Sequence, residues 1–329
     1  MVIHLRDAYQ SILSSPLDDD LWQSYIWQGP SPRDVTLWES QGFSHYQGKI
    51  RTVLSRGGRI HMHHSDRLTA FDRFIDYVPL KGVILAAISQ YWLEESAKIV
   101  PTHFIEAHGS RTLVTESLQP IKAEVVVRGY LAGSLARAYA KGEREFCGVH
   151  LPDGIPPFGR LPRPIITPTT KAAAFEHDEN TTPQKLIGGY VCTEKEWDTL
   201  SDMAFKVFAL GTKIYAEKGW LLADTKYEFG RTAGGTVKLI DEVHTPDSSR
   251  LWNMSTYQER MLKNETPEML DKENVRRWLL DHGFSGHGDV PKVPRKILIE
   301  LAQIYLLVAE TLIGKPLSVR KIDVCHVNN

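Results

Sequence analysis

A mixed fold of antiparallel hairpins and long helices is what the sequence predicts, and three observations predict it. Residues 221–252, LLADTKYEFGRTAGGTVKLIDEVHTPDSSRLW, place alternating charged and buriable residues before a glycine-rich turn and an apolar return. Residues 46–72 read as a strand, a Gly57-Gly58 turn, a second strand and then a loop. Residues 83–99 and 194–218 carry apolar side chains at helical spacing, and 297–313 reads as a buried helix. At 329 residues the chain is long enough for two lobes or closely joined domains.

Composition narrows the partners. With 39 basic against 40 acidic residues, nothing favours a nucleic-acid or membrane surface as the main partner. Cys147, Cys192 and Cys325 are widely spaced and form no CxxC pair, which points to a reducing cytoplasm. The N-terminus has no basic stretch followed by a long apolar run, so it is not read as a secretory signal. Segment 297–313 is interrupted by Glu300, Gln303 and Glu310, which suits a core helix better than a membrane span.

In the first hairpin, an extended chain puts Asp224, Lys226 and Glu228 on one face and Thr225, Tyr227 and Phe229 on the other. Gly230, Gly234 and Gly235 supply the turn, and 237–243 reads as a returning strand carrying Asp241 and Glu242. Carboxylates held close together repel, and a hard cation such as Mg²⁺ shared with phosphate oxygens relieves that repulsion. A merely solvated charged face fits the same pattern. After Pro246, the run Asp247, Ser248, Ser249, Arg250 sets hydroxyls beside a guanidinium, a combination that suits an anionic ligand.

In chain order, residues 1–45 are rich in tryptophan and polar groups, break at Pro30 and Pro32, and suggest no chemistry. Gly48, Lys49 and Arg51 form a basic loop able to fold over phosphates, although the pattern by itself favours an exposed basic hairpin. His61 and His63 share a strand face, but no further zinc ligands follow at a recognisable spacing. Asp66, Arg67, Thr69 and Asp72 crowd a loop, either to orient a polar ligand or as a salt-bridged turn. Helix 83–99 stops before Pro101. Strands at 111–114 and 121–127 follow, and Arg128 ends the second beside Ser134, which is placed to cap helix 135–141 and whose N-terminus attracts anions. The prolines from Pro152 to Pro168 read as a stiff surface crossing. They lead to Lys171, His177, Asp178, Glu179 and Asn180, a dense set of function-capable groups. A helix at 273–282 carries Arg276 and Arg277, with Lys272 beside it, before loop 283–294 and the last helix.

Four motifs in consistent order, EVVVRGYLAGS (124–134), PTTKA with HDEN (168–180), ADTKYEFG (223–230) and DEVHTPDSSRLW (241–252), resemble the SAICAR synthetase family of purine biosynthesis. GKIRTV and SDRLTAFD fit its N-terminal lobe, and the resemblance spans roughly 46–315. It implies an α+β fold, with a small antiparallel lobe at 46–121 that clasps ATP and a larger α+β lobe at 122–329, in the two-lobed manner of kinases and ATP-grasp enzymes. Residues 1–45 would be an extension outside it. The implied reaction condenses CAIR with L-aspartate, giving SAICAR, ADP and phosphate through an acyl phosphate, with ATP and Mg²⁺ required.

By matching positions, Lys49, with Arg51 and Lys171, would contact the nucleotide, and Glu228 and Asp241 would hold Mg²⁺ with Asp224 and Lys226 beside them. Arg128, Ser134, Ser249 and Arg250 would bind CAIR and its ribose phosphate, with Asp72 near it and Lys272 and Arg276 adding a basic pair. His177 and Asp178 are the candidates for the aspartate site. The chain departs from the family at Thr52, where an aspartate is common, and at the histidine-rich strand 60–64, which is usually aliphatic. A small-molecule kinase, or a non-catalytic nucleotide-binding protein of the same fold, are the alternatives. The oligomeric state is left open.

Overall fold

The computed structural model describes residues 2–171 and 179–320. From the N-terminus, β1 (Val2–His4) leads to helices α1 (Leu5–Ser14), α2 (Asp19–Gln23) and α3 (Pro32–Ser40). Strands β2 (Ser44–Gln47), β3 (Arg51–Arg56), β4 (Arg59–His64), β5 (Arg67–Ala70) and β6 (Arg73–Tyr77) precede α4 (Lys81–Ala97), β7 (Phe104–His108) and β8 (Thr112–Glu116). The chain continues through β9 (Gln119–Tyr130), α5 (Gly133–Ala140), β10 (Glu145–Phe146), β11 (Val149–His150), β12 (Arg160–Thr170), α6 (Pro183–Gly188) and α7 (Glu194–Glu217). Last come β13 (Trp220–Arg231), β14 (Val237–Ile240), β15 (Ser249–Asn253), α8 (Met254–Leu262), α9 (Glu273–Asp281), α10 (Arg295–Ile313) and β16 (Ser318–Arg320). This is the α+β class. The chain groups into two compact units, one from the described residues of 1–91, 104–117 and 271–329, the other from those of 92–103 and 118–270.

The first unit is built on an antiparallel sheet ordered β2-β3-β4-β8-β7. The Gly57-Gly58 turn joins β3 to β4 in the register expected of a tight hairpin. The loop expected around Asp72 is instead a second hairpin, β5 with β6, turning through Phe71 and Asp72 at positive φ. Asp66 is not aimed at a ligand. It is fully buried and accepts hydrogen bonds from the Trp27 amide (2.6 Å), the Gly82 amide (2.7 Å) and the Arg111 guanidinium (3.0 Å). A buried carboxylate needs such partners, and these draw the N-terminal residues onto the sheet. The same residues pack through Leu5, Ala8, Tyr9 and Ile12 of α1, and the Tyr9 hydroxyl donates to the Pro79 carbonyl at 2.7 Å. His63 stacks on Trp38 with centroids 5.5 Å apart, and its Nδ1 meets the Thr112 hydroxyl at 2.8 Å.

The second unit is organised by β13, which lies in a sheet ordered β12-β9-β13-β14 and also pairs with β15. The expected surface crossing is corrected in part: Pro162, Pro164 and Pro168 lie within β12, the last strand of that order, and on its outer side the Pro168 carbonyl accepts from the Thr181 amide. Helix α7 starts at a capping box of Thr193 and Glu196 and packs on the sheet through Leu200, Met203, Val207, Phe208 and Tyr215. The expected strand 237–243 ends at Ile240, because Asp241 (φ 66°) and His244 (φ 50°) adopt left-handed conformations that turn the chain toward β15. No helix among the described residues is long and apolar enough to cross a membrane.

Behind β13, His244 is fully buried and pushed down to about 3 by burial, so the folded protein holds it neutral. Its ring occupies the space where a Cβ at position 211 would stand, space that Gly211 leaves open. Between the ordinary histidine value of about 6.5 and the folded value, only the unfolded chain takes up this proton, so His244 costs stability as pH falls through that window. We expect the unfolding free energy of His244→Gln to fall less steeply with acidification between pH 6.5 and 4, by up to ~1.4 kcal/mol per pH unit. Urea titrations of both proteins across that range check this, and parallel slopes would contradict it.

Candidate functional site

Cross-strand register assembles the site. In an antiparallel ladder, directly opposed residues share a face and residues two apart repeat it. On β13, Asp224, Lys226 and Glu228 therefore share a face with their β9 partners Arg128, Val126 and Glu124. Thr167 and Thr169 of β12 join through their pairing with Val126 and Glu124, and Arg250 of β15 joins opposite Asp224. The alternation seen in the sequence is real, but the carboxylates of this face are buried, with Asp224 3% and Glu228 7% exposed, while Lys226 is half-buried.

Its charges sort into two groups. At one end Asp224 accepts from Arg128 Nη1 at 3.3 Å and Arg250 Nη1 at 2.8 Å. Arg128 also donates to Thr167 Oγ1 (2.8 Å) and Ser134 Oγ (3.1 Å), which fixes its guanidinium on three sides. Burial lowers the Arg128 pKa while Asp224 opposes that shift. One carboxylate against two guanidiniums leaves a positive excess, suited to an oxyanion. Ser134 does not cap α5: the N-cap is Ala132 and lacks a side-chain bond, so the Ser134 hydroxyl is available to Arg128. Gly133 (φ 57°) makes room for Arg250, since a Cβ there would lie 2.6 Å from Arg250 Nη2.

At the other end, Glu124 and Glu228 face each other directly across the ladder. Like charges in that position repel unless a cation intervenes. Lys226 pairs with Glu124 and lies 3.5 Å from Glu228, and Lys171, following β12, pairs with the other Glu228 oxygen. Thr169 donates to Glu124 at 3.3 Å. Burial opposes the charge on Lys226, but Glu228 and Glu124, with Asp241 adding to them, outweigh it and hold the ammonium well above its ordinary pKa. Lys226 is thus a fixed cation and not a proton acceptor near neutral pH. Glu228, Glu124 and Asp241 all act on this lysine, and Lys171 shares Glu228 with it.

The opposite face of β13 is quieter. Ser249, expected beside Arg250, is separated from it by strand alternation, and its hydroxyl meets that of Thr225 at 2.8 Å. In the first unit, Lys49 pairs with Asp72 at 2.8 Å with both side chains about 40% exposed, and Arg51 begins β3 opposite His64. Arg276 lies over the Phe71 ring at 5.3 Å and 3.6 Å from Glu273, while Lys272 is the N-cap of α9. His177 and Asp178 lie outside the described residues. Glu124, Thr167 and Thr169 escaped the sequence reading. Glu124 could have been found, since it lies four residues before Arg128 on a strand and so shares its face.

Comparison with known proteins yields one consistent relationship. The model of the SAICAR synthetase family matches residues 44–292. The chain is 38% identical over 275 residues to the phosphoribosylaminoimidazole-succinocarboxamide synthase of Legionella pneumophila (strain Paris), covering 82% of this chain and 88% of that one. Among solved structures it is similar to the SAICAR-synthase from Saccharomyces cerevisiae complexed with SAICAR, with TM-score 0.72, 29% identity, and 84% and 96% of the two chains covered. It is also similar to a SAICAR synthetase (Type-2) in complex with ADP, with TM-score 0.64, 27% identity, and 83% and 99% covered.

The paired guanidiniums carry a direct test. Asp224→Asn removes the charge they share and is expected to lower the unfolding free energy by about 3–5 kcal/mol. Inorganic phosphate should raise the melting temperature of this variant more than that of the parent, because an added oxyanion takes over the carboxylate's part. Urea and thermal unfolding with and without phosphate measure both effects; an unchanged stability would show that Asp224 does not hold the two arginines.

Proposed function

The chain belongs to the SAICAR synthetase family, and from that premise we propose that it couples ATP cleavage to the joining of CAIR and L-aspartate, releasing SAICAR, ADP and phosphate. A carboxylate is a poor electrophile. Transfer of the γ-phosphoryl group to the CAIR carboxylate, with ADP leaving, makes an acyl phosphate. The aspartate amine then attacks the acyl carbon, the bond to phosphate breaks, and the amine loses a proton as the amide forms. What the protein must supply is neutralisation of phosphate charge and fixed alignment of the reactants.

The charge array on β13 meets that need with groups already held in place by one another. Arg128 and Arg250, in excess over Asp224, take the anionic part of CAIR, including its ribose phosphate, with Ser134 and the amides at the start of α5 beside them. Asp224 is then a positioning residue. Lys226 and Lys171 present fixed positive charge toward the reacting phosphoryl group. Lys49 and Arg51 offer further cations to the nucleotide, and Lys272 and Arg276 to CAIR, with Asp72 orienting Lys49. His177 and Asp178 are assigned to aspartate.

Mg²⁺ fits the acidic end of the array. Glu228 and Asp241 offer hard carboxylate oxygens, the donor type such an ion takes, and both act on Lys226, although no group of three or more acidic, histidine or cysteine side chains gathers as a metal site among the described residues. Glu228 and Asp241 would hold it, and its part when bound is to neutralise charge on the terminal phosphates of ATP. Cys147 and Cys192 are free thiols, which supports a reducing cytoplasm as the setting.

The observation that carries this reading is the pairing of a guanidinium-rich end with an acid-rich end on one face of β13. Purified protein is expected to release ADP only when ATP, CAIR and aspartate are all present. Glu228→Gln and Asp241→Asn should abolish that release while leaving the circular dichroism spectrum unchanged. Full activity in both variants would overturn the metal assignment, and ADP release with CAIR in the absence of aspartate would favour a kinase.

A further inference from the structure

His244 takes no part in the chemistry above, yet more of the second unit converges on it than packing requires. Its ring Nε2 meets the Tyr227 hydroxyl, its carbonyl accepts from the Tyr215 hydroxyl at 2.5 Å, and Trp92 stands edge-on with centroids 4.6 Å apart. His244, Tyr215, Tyr227 and Trp92 are all fully buried. Helix α7 yields its side-chain volume at Gly211 to the imidazole. The ring's Nδ1 has no hydrogen-bond partner among the described residues, a cost that an apolar residue would avoid. An imidazole in that setting is explained by the bond its other nitrogen makes.

That bond has a definite place in the chain. Tyr227 lies between Lys226 and Glu228 in β13 and faces the opposite side of the sheet. Ile240 is the register partner of Glu228, so Asp241 is the first residue past the strand pairing that fixes Glu228. From there the chain bends through two left-handed non-glycine residues, Asp241 and His244, a conformation that persists only where surrounding contacts impose it. The Thr245 hydroxyl, donating to Glu242 at 2.5 Å, ties the bend to itself, whereas His244 ties it to β13 and α7.

We propose that His244 is a positioning residue which, held by Tyr227 and Tyr215, pins the bend behind β13 and so sets the Asp241 carboxylate relative to Glu228. This rests on the reading of Glu228 and Asp241 as the cation's ligands. Residues supporting a metal's ligands typically contribute about tenfold to a hundredfold in affinity when removed.

The test measures Mn²⁺ binding to the full chain in the presence of ADP, by electron paramagnetic resonance of the free ion, alongside CAIR affinity and melting temperature. Glu228→Gln should lose Mn²⁺ binding. Tyr227→Phe, which removes one hydroxyl, and His244→Leu should weaken Mn²⁺ binding about tenfold or more while CAIR affinity stays within about twofold. His244→Gln, whose amide can meet the Tyr227 hydroxyl, should recover part of the loss. If Tyr227→Phe does not fold, Tyr215→Phe makes the same test from the carbonyl side. Parent-like Mn²⁺ binding in Tyr227→Phe and His244→Leu, with loss in Glu228→Gln, would overturn the positioning role and leave the metal assignment intact. Equal losses of Mn²⁺ and CAIR affinity with a lowered melting temperature would show a general packing role instead. Undiminished binding in Glu228→Gln would remove the metal assignment and this inference together.

Discussion

Two carboxylates placed directly opposite each other on neighbouring strands, Glu124 and Glu228, are the constraint from which the rest of the second unit follows. Such a pair in a buried sheet face is tolerable only with cations close by. Lys226 comes from the same strand two residues away, and Lys171 from the end of β12, so three adjacent strands must hold register for the charges to meet. The same register, four residues further along, opposes Asp224 to Arg128 and Arg250. A slip by one residue would send every one of these groups to the face now filled by Thr225, Tyr227 and Phe229.

Holding charge in fixed pairs suits a reaction that moves a phosphoryl group between anions. Water would have to reorganise around each new charge distribution, whereas guanidinium and ammonium groups already anchored need not. Lys226 is so strongly held in its charged form that its contribution is electrostatic. Asp224 Oδ2 accepts from both arginines, which orients the groups that would meet substrate. The other end gathers the Glu124 and Glu228 carboxylates about Lys226, and it is there that the proposed divalent ion is assigned.

Much of this was legible in the sequence because it is local. The alternation of Asp224, Lys226 and Glu228, the Gly57-Gly58 turn and the apolar stripe of α7 each depend on residues within a few positions of one another. What was not legible depends on distant partners. Asp66 looks like any loop acid until the Trp27 and Gly82 amides and Arg111 close around it. The prolines of β12 suggest a crossing because a sequence does not reveal that this strand comes last in the order of its sheet. Ser134 resembles a cap, and Arg128 takes its hydroxyl instead. The return strand reads as apolar through Val243, and it ends at Ile240 because Asp241 and His244 turn the backbone left-handed.

The central claim, that the acid-rich end of the array captures a divalent ion, is tested most directly by anomalous diffraction from a crystal grown with Mn²⁺ and ADP. A manganese peak bonded to the Glu228 and Asp241 carboxylates, with the Lys171 ammonium displaced from Glu228, is the predicted result. Manganese bound elsewhere, with Lys171 and Lys226 still closing over Glu228, would contradict it.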